Sequence, residues 1–191
     1  FLREKNYLEA LEYAERSLEY NINNIPSIEI IAISNRYLNN EKEHNLALLK
    51  IDKLDPLNHI ITFERFQLSP NKQNKIHVVN SHRSELSYQT YLELAISYYN
   101  RGLIKEAITI LEIGPDELIN DIWKAYLKED REELINSISS KKIDFSFPFR
   151  RESIKILEWA KNTSSSWKLD YLLSLNLWGK GRYTQAQNLL I

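Results

Sequence analysis

Residues 97–112 read SYYNRGLIKEAITILE. One helical run ends at Asn100-Arg101-Gly102 and another begins almost at once. Ile104, Ala107, Ile108 and Leu111 recur at i, i+3, i+4 and i+7, one face of a helix. Tyr91, Leu94, Ala95 and Tyr98 repeat that spacing before the break. Glycine readily takes the left-handed conformation that closes a helix, and so short a connection folds the second helix back on the first. The stretch therefore predicts a helical hairpin turning at Gly102.

The same punctuation recurs along the chain. Gly181 is followed by Tyr183 and Ala186 at the offsets at which Gly102 is followed by Ile104 and Ala107. Lys5, Tyr7 and Ala10 give a third copy. A weaker fourth copy turns at Asn39 and closes at Pro56, with His44 in the place of Ala10, 34 residues on. Two helices cross closely only where one presents a small side chain, here Ala95 and Ala107, with large residues filling the grooves on either side. His44 is bulky for that position, so its hairpin is expected to be splayed or shifted in register.

Composition agrees with helices. Only four glycines occur in 191 residues, fewer than a sheet protein with many tight turns needs. The five prolines, at 26, 56, 70, 115 and 148, fall between apolar-periodic segments. A net charge of -1 offers no field for nucleic acid. The absence of cysteine removes disulfides, thiolate nucleophiles and cysteine zinc sites. No apolar run approaches the roughly 20 residues that span a bilayer, so no membrane insertion is expected. The compartment is not legible.

The period of 34 is that of the tetratricopeptide repeat, and residues 88–115 resemble its pattern. Tyr91 takes the large place, Leu94-Ala95 the Leu-Gly pair, Tyr98 the aromatic place, Gly102 the turn, Ala107 the small place and Leu111 the next large one. The resemblance implies an all-α fold, a right-handed superhelix of antiparallel hairpins. It divides a single domain, 1–191, into units at 1–24, 25–56, 57–86, 87–115, 116–139, 140–163 and 164–191. The third and sixth units are irregular: 69–86 reads as a loop with a poorly patterned helix, and FSFPFR precedes an extra helix at 150–162. The repeat after Gly102 stops early, at Gly114-Pro115. Both ends fall inside hairpins, so the array is expected to be a fragment of a longer chain.

Four stretches, KLDPLNHIITFERF, TYLELAISYYNRGLIKEAITIL, FPFRRESIKILEWA and WKLDYLLSLNLWGKGR, resemble one group of large bacterial proteins. In that group a galactose-mutarotase-like domain precedes a tetratricopeptide array. The resemblance implies that this chain belongs to the array and that any carbohydrate chemistry lies on a domain outside it.

Candidate chemistry is sparse. His44, His59, His77 and His82 lack the i, i+4 spacing of a helical metal pair and are expected to be exposed or satisfied. Glu41, Glu43, Asp130, Glu132 and Glu133 read as solvated faces. GKGR at 179–182 lacks the full phosphate-loop pattern and follows a helix where a strand is required. SSSW at 164–167 lacks the glycines of a hydrolase elbow and suits a helix N-cap before Trp167. Phe145, Phe147 and Phe149, ahead of Arg150 and Arg151, suit a strip laid on the core better than an anion site. No catalytic residue, metal or cofactor is expected.

Tetratricopeptide arrays bind partners in a groove lined by the first helix of each hairpin. The family's acidic-tail clamp falls on Leu92, Glu93, Ile96, Tyr99 and Asn100, and on Tyr171, Leu172, Leu175, Trp178 and Gly179. Neither set can grip a carboxylate. Glu93, Ile96, Tyr99, Asn100, Tyr171, Leu175 and Trp178 are instead expected to meet another domain of the same polypeptide or a protein partner. The rival expectation is one wall of a carbohydrate-active cleft, with Trp123 or Trp159 as an outward platform.

Overall fold

The computed structural model describes residues 1–144 and 146–190, and these form twelve α-helices and one 3-10 helix, with no strand among them. They gather into two compact units, Phe1–Ile113 and Gly114–Ile191. The boundary falls at Gly114-Pro115, where the sequence implied only the end of one repeat within a single domain.

The first unit opens with the 3-10 turn Leu2–Glu4, then α1 (Tyr7–Tyr20), α2 (Ile25–Tyr37) and α3 (Glu41–Leu54). It continues with α4 (Ile60–Leu68), α5 (Lys72–Ser81), α6 (Ser87–Asn100) and α7 (Ile104–Ile113). The second unit holds α8 (Leu118–Lys128), α9 (Arg131–Ser140), α10 (Glu152–Thr163), α11 (Trp167–Gly179) and α12 (Tyr183–Asn188). Packing runs chiefly between sequence neighbours: α1 on α2, α2 on α3, α4 on α5, α6 on α7, α8 on α9, α10 on α11 and α11 on α12. Additional contacts bring α4 onto α2 and α3, and α10 onto α8.

One turn recurs. Among the described residues positive φ occurs at Lys5 (58°), Asn39 (57°), Gly102 (80°), Glu129 (56°) and Gly181 (75°). In each case the next N–H donates to the carbonyl five residues back: Asn6 to Phe1 at 3.0 Å, Asn40 to Asn35 at 2.8 Å, Leu103 to Tyr98 at 3.0 Å, Asp130 to Ala125 at 2.9 Å and Arg182 to Leu177 at 3.0 Å. This six-to-one bond satisfies carbonyls that a helix end would otherwise orphan, the Schellman closure. Five residues past each turn stand Ala10, His44, Ala107, Leu134 and Ala186, all buried. Glu129 hid its turn because a glutamate carries no turn signal.

His44 does not splay its hairpin. It is fully buried, and its Nδ1–H donates to the carbonyl of Ala32 on α2 at 2.9 Å. The small residue has moved to the other helix: Ala32 precedes Asn39 by the interval that separates Ala95 from Gly102. Pro26 also departs from its expected place. It sits in the first turn of α2, where a missing N–H costs nothing.

Starts are fixed by side-chain caps. Asn6, Asn24, Asn71, Asp130 and Ser166 each accept a hydrogen bond from a backbone N–H of the following turn. The Ser166 cap is the one expected of SSSW. Phe63, Tyr98, Ile28, Leu48 and Ile96 are sealed in the core of the first unit, and Trp123, Leu118 and Ile119 in that of the second. Full burial of such a side chain contributes about 1.5–3 kcal/mol.

The FSFPFR strip is turned the other way from expectation. Ser146 and Pro148 face inward, while Phe147 and Phe149 are 50% and 41% exposed. Extended residues alternate sides, so burying 146 and 148 turns 147 and 149 outward. Phe145 lies outside the described residues. Arg150 lies 4.0 Å from the Glu152 carboxylate, and its carbonyl accepts from Asn176 at 3.0 Å.

Candidate interaction surfaces

In the second unit α11 is apolar on both sides. Leu169, Leu172, Leu173 and Leu177 turn inward and are buried. Trp167, Tyr171 and Trp178 lie on the opposite side, 66%, 37% and 49% exposed, with half-buried Leu175 between them. Positions 167, 171, 175 and 178 follow helical spacing, so they form one stripe. Tyr183 of α12 extends it, its ring edge-on to Trp178 at 5.2 Å. Charged residues flank the stripe: Asp170 pairs with Lys161 at 2.5 Å, and Lys168 Nζ donates to the carbonyls of Ile138 and Lys141.

Of the residues expected on this face, Tyr171, Leu175 and Trp178 therefore share it, and Leu172 does not. Trp167 and Tyr183 were missed. The signal for Trp167 was available, one helical step before Tyr171. Trp123 is fully buried, its indole N–H donating to Ser153 at 3.0 Å, and presents no platform. Trp159 is half-buried and edge-on to Tyr126 at 5.3 Å.

In the first unit the α6 residues divide. Ile96 is fully buried and Leu92 nearly so, which removes both from any partner surface. Their side of the helix packs into the unit's interior. Glu93 is exposed and Tyr99 half-buried, while Asn100 is exposed with its carbonyl accepting from Arg3 Nε at 2.8 Å. Glu93 lines a cleft of about 260 Å³ with Glu29, Asp55, Asn58 and His59. Arg101 pairs with Glu29 and donates to Ser97 at 2.5 Å, and Asn58 donates to the other Glu29 oxygen at 3.2 Å.

A buried charge cluster lies at the centre of this unit. Glu64 on α4 is fully buried and accepts from Arg36 of α2 at 2.8 and 3.2 Å and from Tyr98 of α6 at 2.6 Å. Arg36 also reaches Glu106 of α7 at 3.1 Å, and the Tyr37 hydroxyl donates to the same oxygen. Burial works against the Arg36 charge, but the two carboxylates override it and raise its pKa. Burial and then the Glu64 charge push the Tyr98 phenol well up; burial and then Glu106 do the same to Tyr37. With its acids and bases spent on one another, the cluster ties α2, α4, α6 and α7 together. Sequence reading missed it. The signal was a charge on an apolar face: Glu64 shares its side with buried Ile60 and Ile61.

Smaller polar sites are likewise committed. Burial raises the Asp121 carboxyl, but hydrogen bonds from Lys141, Lys124 and Ser137 bring it below the usual range. Glu41, Glu43, Asp130 and Glu132 are exposed as expected. The histidines divide: His77 is exposed and His59 half-exposed, while His44 and His82 are buried with Nε2 unpartnered. Among the described residues no group of three His, Asp or Glu side chains could hold a metal, and no helix is long and apolar enough to cross a membrane.

No protein-family model and no curated protein matches the chain.

Proposed function

We propose that the chain is a tetratricopeptide-like array, a right-handed superhelix of hairpins, that acts as a non-catalytic scaffold. Its partner is an amphipathic helical segment of a protein, docked on the α11–α12 face. One observation carries this reading: α11 is apolar on two opposite sides, one packed inward and the other with Trp167, Tyr171 and Trp178 in solvent. A second apolar side is normally covered, and contiguous exposed aromatics mark contact surfaces. The stripe's spacing of four, four and three residues complements anchors on a second helix. The buried Trp123 weighs against a carbohydrate-binding wall. The five recurrent turns and the FPFRRESIKILEWA resemblance support reading the chain as the helical array of a larger bacterial protein.

Selection of random peptides displayed on phage against the folded chain tests this. Enriched peptides are expected to carry apolar residues at helical spacing and to lose binding when Tyr171 or Trp178 becomes Glu. Enrichment that ignores both substitutions overturns the reading.

A further inference from the structure

Helix α5 is the most thinly anchored helix in the first unit. Only Val78 among its residues is buried, while Ile76 and Val79 are 41% and 39% exposed. A further anchor is His82, the residue that caps its C-terminus. The His82 ring is 1% exposed and lies between His59, ahead of α4, at 4.4 Å and Tyr91 of α6 at 4.6 Å. Its Nδ1 lies 2.7 Å from the Val78 carbonyl and 2.9 Å from Ser81 Oγ, and its Nε2 is buried without a partner. Next to it, Ser81 and Thr62 share a hydrogen bond of 2.9 Å between α5 and α4.

We propose that the His59–His82–Tyr91 stack is an acid-sensitive latch: protonation of His82 releases α5 while the other helices of the unit stay folded. A second proton on His82 would sit on Nε2, where no acceptor waits, and its charge would face the His59 ring. Burial of an unpaired charge is costly, so the proton is taken up only when the ring leaves. Burial holds the His82 pKa at about 4, the Val78 carbonyl opposing and His59 adding to the effect. Burial also lowers His59, partly offset by Asp55 before α4 and Glu93 on α6. Glu29 of α2 shares the His59 cleft but is paired with Arg101. Burial raises the Tyr91 phenol, which stays neutral throughout the acid range. Arg65, Lys75, His77 and Arg83 are exposed on or beside the two helices.

The sign follows from proton linkage. A released His82 titrates near the ordinary 6.5, above its folded value of about 4, so opening takes up a proton between these limits. The open fraction of α5 then rises by roughly five- to sevenfold per pH unit between 6.5 and 4.5 and levels off below about 4.

Hydrogen exchange of the whole chain, corrected for intrinsic rates, tests the latch. From pH 6.5 to 4.5 the open fraction of residues 72–81 is expected to rise about 40-fold, with α2 and α6 unchanged. His82→Phe keeps a flat ring and should abolish the response; His77→Phe should retain it. Protection of α5 that is constant until the whole chain unfolds, or an unchanged response in His82→Phe, overturns the proposal. If His82→Phe frees α5 already at neutral pH, the imidazole titration of the wild-type chain decides. Its coincidence with α5 opening supports the latch, and separate midpoints overturn it.

Discussion

Arg36 holds Glu64 with two hydrogen bonds, at 2.8 and 3.2 Å, from a guanidinium that is itself almost buried. The pair joins α2 to α4, and Arg36 carries the link on to Glu106 of α7. Three hairpins thus share one ionic node. Removing one member of a buried pair strands the other, at a cost of about 3–5 kcal/mol. Arg36→Met should lose that much in urea denaturation. Glu64→Gln, which keeps hydrogen-bonding groups, should lose only about 1–3 kcal/mol. Equal, small losses would show that the node does not secure the hairpins.

The turns respond to substitution in opposite directions. Gly102 has a φ of 80°, and an added Cβ would lie 2.7 Å from the Arg3 backbone. Gly102→Ala adds left-handed strain of about 1 kcal/mol to that clash, so a loss of roughly 2–4 kcal/mol is expected. Glu129 already pays this strain at 56°. Glu129→Gly should therefore stabilise, by about 0.5–1 kcal/mol. Thermal melts of both variants check the pair of signs.

Alkali should expose the buried phenols. Tyr98 is raised well above 10 in the fold by burial and Glu64, while an unfolded tyrosine ionises near 10. Above pH 10 the unfolded chain therefore binds fewer protons, and stability falls as pH rises towards the folded value. Phenolate absorbance should show fewer ionised tyrosines in the folded chain than in the denatured chain at the same pH. Tyr98→Phe should reduce that difference.

The hairpins were legible because their physics is local. Gly102 and Gly181 announce turns through backbone freedom, and Ala10, Ala107 and Ala186 announce close crossing through small size. Glu129 made a turn without either cue, closed by backbone bonds of Glu129 to Tyr126 and of Asp130 to Ala125. His44 misled because fit depends on the facing residue, and Ala32 supplies the missing space from another helix. The exposed aromatic face was legible only in part. Tyr171 and Trp178 could be placed outward once α11 was recognised, whereas Ile96 on α6 turned inward. Helical period alone does not say which apolar side meets a neighbour. The Glu64 cluster assembles residues from four helices, and such long-range pairing leaves no local pattern beyond a charge among apolar neighbours.

Calorimetric titration of one selected peptide into the wild-type chain and into Trp178→Glu tests the docking account most directly. The account expects the substitution to weaken binding at least tenfold, about 1.4 kcal/mol, while circular dichroism stays unchanged. Equal affinity of a bound peptide for both folded chains would contradict it.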